Sequence, residues 1–147
     1  MWSDVLQQAE RLHWLRLGLW GSLSTLGGTI VLAIGRRRSD FLRRFGWVCG
    51  LFGVVELLTA VTAYRGIPLR DISGATRLDR LSWLQLGLFL GLTAVGVTLA
   101  ASSRGMKSRE YPAIDTSLPM IGAGVAIALH GLALATLQLQ LITQISR

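Results

Sequence analysis

The stretch Arg11–Leu32, RLHWLRLGLWGSLSTLGGTIVL, recurs 69 positions later as Arg80–Ala101, RLSWLQLGLFLGLTAVGVTLAA, with 10 identities in 22 aligned places. Conservative exchanges such as Trp20/Phe89, Ser24/Thr93 and Ile30/Leu99 strengthen the match. An internal repeat constrains architecture before any single element is assigned. Here it states that the first and third apolar segments do the same structural job, so the chain reads as a duplicated helical hairpin.

Working outward from the repeat, 147 residues with 51% hydrophobic and 16% charged side chains are too apolar for a soluble domain of this size. Four segments are free of charge or nearly so: Leu17–Gly35, Phe45–Tyr64, Leu81–Ser103 and Thr116–Ser146, the second interrupted only by Glu56. Each can cross a hydrocarbon core about 30 Å thick, which takes roughly 20 helical residues. The sequence therefore predicts an all-α membrane protein, a four-helix bundle with spans at about 14–35, 45–64, 81–103 and 117–144 in one domain covering 1–147. Connections of 10, 16 and 12 residues (Gly35–Arg44, Arg65–Arg80 and Arg104–Asp115) leave no room for a catalytic domain outside the bilayer. Two tandem hairpins with an even number of spans are parallel repeats, related by a pseudo-twofold axis along the membrane normal.

The first span is not a secretory signal. Ala33-Ile34-Gly35 resembles a weak cleavage site, but Asp4 and Glu10 spoil the basic leader and the repeat partner sits in mid-chain. The first 16 residues read as an interfacial extension of the first helix, with Trp2, Val5, Leu6, Ala9 and Leu12 or His13 on one face.

A pI near 11.3 and a formal charge of +7 do not point to nucleic acid, because the arginines sit where the helices leave the membrane. Arg36, Arg37, Arg38, Arg43 and Arg44 bracket the first loop and are expected to meet anionic headgroups. Eight Lys and Arg on loops 1 and 3 face seven on the opposite side. The density of loop 1 tips the orientation towards cytoplasmic loops 1 and 3, in a bacterial inner membrane. Trp2, Trp14, Trp47 and Trp83 lie near helix ends as belt residues, whereas Trp20 lies deeper.

Lipid tails give helices no hydrophobic reason to associate, so close backbone approach has to supply dispersion energy. Among 17 glycines, Gly18, Gly46, Gly50, Gly87, Gly91 and Gly131 are the expected packing positions, with Gly46/Gly50 and Gly87/Gly91 four residues apart. Such packing implies other membrane subunits or self-association. Span Thr and Ser hydroxyls are expected to bond back to the carbonyl one turn earlier, while Gln138 and Gln140 read as interfacial.

Extending the repeat to the second helix of each hairpin, with the offset grown to 74, lays Leu51–Ala63 over Val125–Leu137 and puts Glu56 opposite His130. Both fall near mid-helix. An ionisable side chain at that depth costs about 2.5–3.5 kcal/mol and turns towards protein or water, so both are expected to point inward and approach one another. A structural hydrogen bond that pins helix register is the first reading, and a proton relay or ion site the second. Ala126-x-x-x-His130 also matches the spacing at which a helix clears room for a chlorophyll or haem ring, although haem ordinarily takes a second axial ligand. Cys49 is the only cysteine, so no disulfide and no thiolate metal site is expected. No catalytic constellation accompanies the pair, and no resident metal or cofactor is implied.

Gly46-Trp47 with Gly50, a polar mid-span residue, Leu84-x-x-Gly87-Leu88 in the third span, and His130-Gly131 before a long apolar finish together resemble an uncharacterised family of small bacterial four-span membrane proteins. The resemblance implies the same fold, no assigned activity, and amide side chains where this chain carries Glu56 and His130. The expectation is then a non-catalytic accessory or interaction subunit of a membrane assembly. A small oligomeric transporter or proton-coupled channel using Glu56 is the alternative, and pigment or haem binding through His130 a further one.

Overall fold

The computed structural model describes residues 2–35, 37–67, 72–103 and 117–145. They form four helices, α1 (Trp2–Gly35), α2 (Asp40–Arg65), α3 (Ile72–Ser102) and α4 (Ser117–Ile145), with no strand among the described residues. All four are long and apolar enough to cross a bilayer, so the protein is a small integral membrane protein built as a four-helix bundle.

The helices overrun the expected spans. Residues 36–39 alone separate α1 from α2, because the arginine-rich connection is mostly helical and Arg43 and Arg44 already belong to α2. The turn is closed by the N–H groups of Arg38 and Ser39, which donate to the Gly35 carbonyl at 3.0 and 3.1 Å. A Cβ at Gly35 would lie 2.5 Å from that of Leu42, so only glycine lets the chain reverse this tightly. Asp40 in the first turn and Arg65 in the last complement the α2 dipole. The N-terminal extension packs on the bundle along one face: Leu6, Ala9, Glu10 and His13 are buried at helical spacing, while Val5 and Leu12, expected on that same face, point outward.

The chain runs up, down, up, down, with α1 packed along α2, α3 along α4, and α2 against α4. Each hairpin closes on a seam of small residues. A Cβ added at Gly28 would lie 2.5 Å from Gly50 N and 2.8 Å from Gly46 O. At Gly46 it would meet Gly28 O and Leu32 N, and at Gly53 it would meet Gly21 O and Thr25 N, all within 2.8 Å. The second hairpin repeats the pattern. Gly124 faces Gly96 O and Ala100 N, and Gly131 faces Phe89 O and Thr93 N. Thr25 and Thr93 hold corresponding seam positions and each donates its hydroxyl one turn back, to Gly21 O at 2.8 Å and Phe89 O at 2.9 Å.

These paired contacts define the repeat in space: Gly28 corresponds to Gly96 and Leu32 to Ala100, while Gly46 corresponds to Gly124 and Gly53 to Gly131. The spatial offsets are thus 68 and 78, not the 69 and 74 suggested by residue identity. An offset is set by which backbone atoms touch, and one residue is a 100° turn of a helix, so identity at the lipid-facing positions misplaces the seam.

Of the expected packing glycines, Gly46 and Gly131 lie in seams, Gly50 supplies the backbone on which Gly28 rests, and a Cβ added at Gly18 would lie 3.5 Å from Ala60 Cβ. Gly87 and Gly91 do not pack. They lie on the exposed face of α3 with nothing within 4 Å of an added Cβ. The informative spacing was seven residues, Gly21/Gly28, Gly46/Gly53 and Gly124/Gly131, because two helical turns return to the same face more closely than one. The symmetry is also incomplete. α1 reaches both α2 and α4, whereas α3 packs on α4 and makes no comparable contact with α1 or α2.

Since the atoms facing Gly53 and Gly131 are backbone or a fixed hydroxyl, Gly53→Ala and Gly131→Ala should each destabilise the bundle by about 1–3 kcal/mol through forced separation of the helices. Gly87→Ala should be neutral or stabilising by about 0.5–1 kcal/mol through helix propensity. Reversible SDS titration followed by circular dichroism would measure the difference.

Candidate functional site

At the centre of the bundle, α2 turns Cys49, Gly53, Glu56 and Ala60 inward, and α4 answers with Ala126, His130 and Leu134. Glu56 is 5% exposed and His130 is fully buried. His130 Nδ1 stands 2.8 Å from Glu56 Oε1, a hydrogen bond joining the two hairpins across the α2–α4 interface. Gly21 on α1 makes room for the acid, since its added Cβ would come within 3.2 Å of Glu56 Cβ. Phe52 stacks on the imidazole at 5.0 Å between centroids, and Trp20 meets it edge-on at 5.7 Å.

The bond holds one proton, on Nδ1 or on the carboxyl. Glu56 Oε2, His130 Nε2 and Trp20 Nε1 are buried without a hydrogen-bond partner in the structure. At the seam offset of 78, Glu56 corresponds to Leu134 and His130 to Phe52. The two are therefore not symmetry mates. They meet because all four positions line the same interface, and the counterpart of the polar contact is an apolar leucine and phenylalanine.

An apolar groove of about 220 Å³ adjoins His130, lined by Trp20, Gly27, Gly28, Cys49 and Leu129 among others. His130 presents no accessible nitrogen to it, since Nδ1 is engaged by Glu56 and Nε2 is enclosed. No group of three or more His, Cys, Asp or Glu side chains able to hold a metal occurs among the described residues. Cys49 is a free, buried thiol two helical turns from Glu56.

A second polar layer lies about two turns further along α4. Glu10 and His13 from α1, Ser82 from α3 and Gln138 from α4 are all buried, and Arg16 donates to Gln140 Oε1 at 3.1 Å beside them. His13 and Gln138, both expected near a membrane surface, are thus core residues. A signal was present in the sequence, where the two copies carry polar residues, His13 and Ser82, within one residue of the same seam position. Gln138 stands seven residues after Gly131, on the seam itself. Between the two polar layers, Leu17, Ala60 and Leu134 form an apolar plug, with Trp14, Phe89 and Leu137 packed around it.

Arg37, Arg38, Arg43 and Arg44 are exposed together where α1 ends and α2 begins, with Arg43 2.8 Å from Asp40. Arg36, the side chain of Trp2 and the whole of the third loop lie outside the described residues. Trp47 and Trp83 are half exposed, as belt residues would be. Span threonines bond back one turn, Thr59 to Val55, Thr62 to Leu58 and Thr136 to Leu132.

Removing one partner of a buried pair strands the other, so Glu56→Ala and His130→Ala should each cost about 3–5 kcal/mol. Glu56→Leu combined with His130→Phe, which copies the apolar counterpart positions, should recover most of that loss. A double-mutant cycle on SDS unfolding reads the coupling directly.

No curated protein and no solved structure matches this chain. The model of a family of unknown function, DUF6992, matches residues 16–139, which take in the seams, the Glu56–His130 pair, and Ser82 and Gln138 of the second polar layer, and the chain belongs to that family.

Proposed function

We propose that this protein is a non-catalytic subunit that docks other membrane-spanning helices on the outer face of α3. The observation that carries the reading is the one-sided packing of that helix. Only 6% of its apolar span is buried, against 22%, 28% and 39% for α1, α2 and α4. Its outer face presents Gly87, Gly91, Ala94 and Thr98, all exposed, at the same four-three-four spacing as the internal seams. Those seams hold helices at backbone contact, and a fifth stripe of the same spacing offers a further helix the same approach. In this reading the Glu56–His130 bond locks the hairpins in register so that α4 presents α3 rigidly.

A proton-coupled channel would need a polar route through the core. The Leu17–Ala60–Leu134 plug interrupts one between the Glu56–His130 pair and the Glu10–His13 layer, which favours the docking role. The arginine cluster at the first turn would hold the bundle against anionic headgroups.

The single native cysteine makes the test direct. In a Cys49→Ala background, Gly91→Cys and Ala94→Cys should form stoichiometric crosslinks in native membranes, while Leu23→Cys on the lipid face of α1 should not. Equal crosslinking from both faces, or none from α3, would sink the proposal. Reconstituted vesicles should show no pH-driven flux above empty ones.

A further inference from the structure

On the side of the bundle turned away from α4, α1 and α2 part to leave a groove of about 290 Å³. Gly18 and Ala60 form its floor, where two small residues meet with only a 3.5 Å gap for an added Cβ. Leu15, Leu19 and Val61 form its walls and are 50%, 66% and 42% exposed, so it opens laterally to lipid. Along α2 it runs from Leu57 to Arg65, about 12 Å at 1.5 Å per residue. Its inner end is apolar apart from Ser22, and its outer end carries Tyr64 and Arg65. Arg11 precedes Leu15 by one turn on the same face of α1 (11, 15, 18, 22), at the level of Arg65. Neither arginine has a hydrogen bond or ion pair among the described residues.

We propose that this groove is a binding site for one anionic phospholipid, its phosphate held by Arg65 and Arg11 with the Tyr64 hydroxyl, and one acyl chain laid over Gly18 and Ala60. Size selects the occupant. The volume is about twice that of a 150 Å³ cavity that holds benzene, enough for part of an acyl chain. A second helix, roughly 10–12 Å across with its side chains, is too wide to enter. Charge selects the headgroup, because guanidinium groups pair with phosphate oxygens through two parallel hydrogen bonds. No residue of α3 or α4 lines the groove, so the site is separate from the docking face of α3.

Native mass spectrometry of the full chain, released from nanodiscs of equal phosphatidylglycerol and phosphatidylcholine, tests this. The wild type should retain one phosphatidylglycerol with a preference of about tenfold or more, given the usual attraction of about 1 kcal/mol per arginine near anionic lipid. R11Q/R65Q should bring the preference close to parity, while R77Q, at an exposed arginine of α3 that does not line the groove, should leave it intact. Ser22→Leu, which fills the inner groove, should lower retention of both lipids. Unchanged retention in R11Q/R65Q, an equal loss in R77Q, or displacement of the lipid by inorganic phosphate would each overturn the proposal.

Discussion

Backbone contact between paired helices is the constraint on which the rest of this structure depends. In a bilayer the side chains of two helices gain nothing by leaving lipid for one another, so association has to come from dispersion between closely packed atoms. Glycines spaced by seven residues bring Gly28 onto Gly46 and Gly50, and Gly96 onto Gly124, close enough that no Cβ fits between them. At that separation Cα–H groups also approach carbonyl oxygens across the seam, a weak attraction that recurs at helix interfaces. The price is that little polar specificity remains within a hairpin, since its threonines spend their hydroxyls on their own helices.

Specificity between the hairpins is concentrated in one bond. Glu56 and His130 sit where an apolar pair would pack, and the pseudo-symmetric positions do carry leucine and phenylalanine. A buried polar pair of this kind adds little net stability but penalises every arrangement that separates its members. Sliding α4 along α2 by one turn would strand an acid and an imidazole in a low-dielectric core. The bond thereby sets the register of two hairpins whose glycine seams say nothing about each other.

The same bond accompanies the departure from symmetry. With α1 wedged against both α2 and α4, the core of the bundle is three helices, and α3 is held on its outside almost entirely by α4. The second polar layer, from Glu10 and His13 to Gln138, closes the far end of this three-helix core, and the Leu17–Ala60–Leu134 plug separates it from the central pair. Three lipid-facing features remain distinct on this body: the exposed arginines at the α1–α2 turn, the groove over Gly18 and Ala60, and the outer stripe of α3.

The four spans, the hairpin repeat and the inward placement of two ionisable mid-span residues could be read from the chain, because each follows from a local cost: unpaired backbone in lipid, or a charge in hydrocarbon. The partner of Glu56 was legible for an approximate reason, an alignment offset of 74 that placed His130 opposite it. The seams themselves, with offsets of 68 and 78, were hidden because identity between the two copies is spread over lipid-facing positions that tolerate many residues, and a shift of one residue rotates a helix by 100°. Gly87 and Gly91 carried a packing spacing without a packing role, while His13 and Gln138 looked interfacial and proved buried. Composition and periodicity by themselves determined that this protein is four membrane helices in two related pairs. Which faces those helices share, and that α3 would pack almost wholly on one neighbour, only the tertiary structure decided, because a glycine stripe marks a face able to pack and cannot name the helix that packs on it.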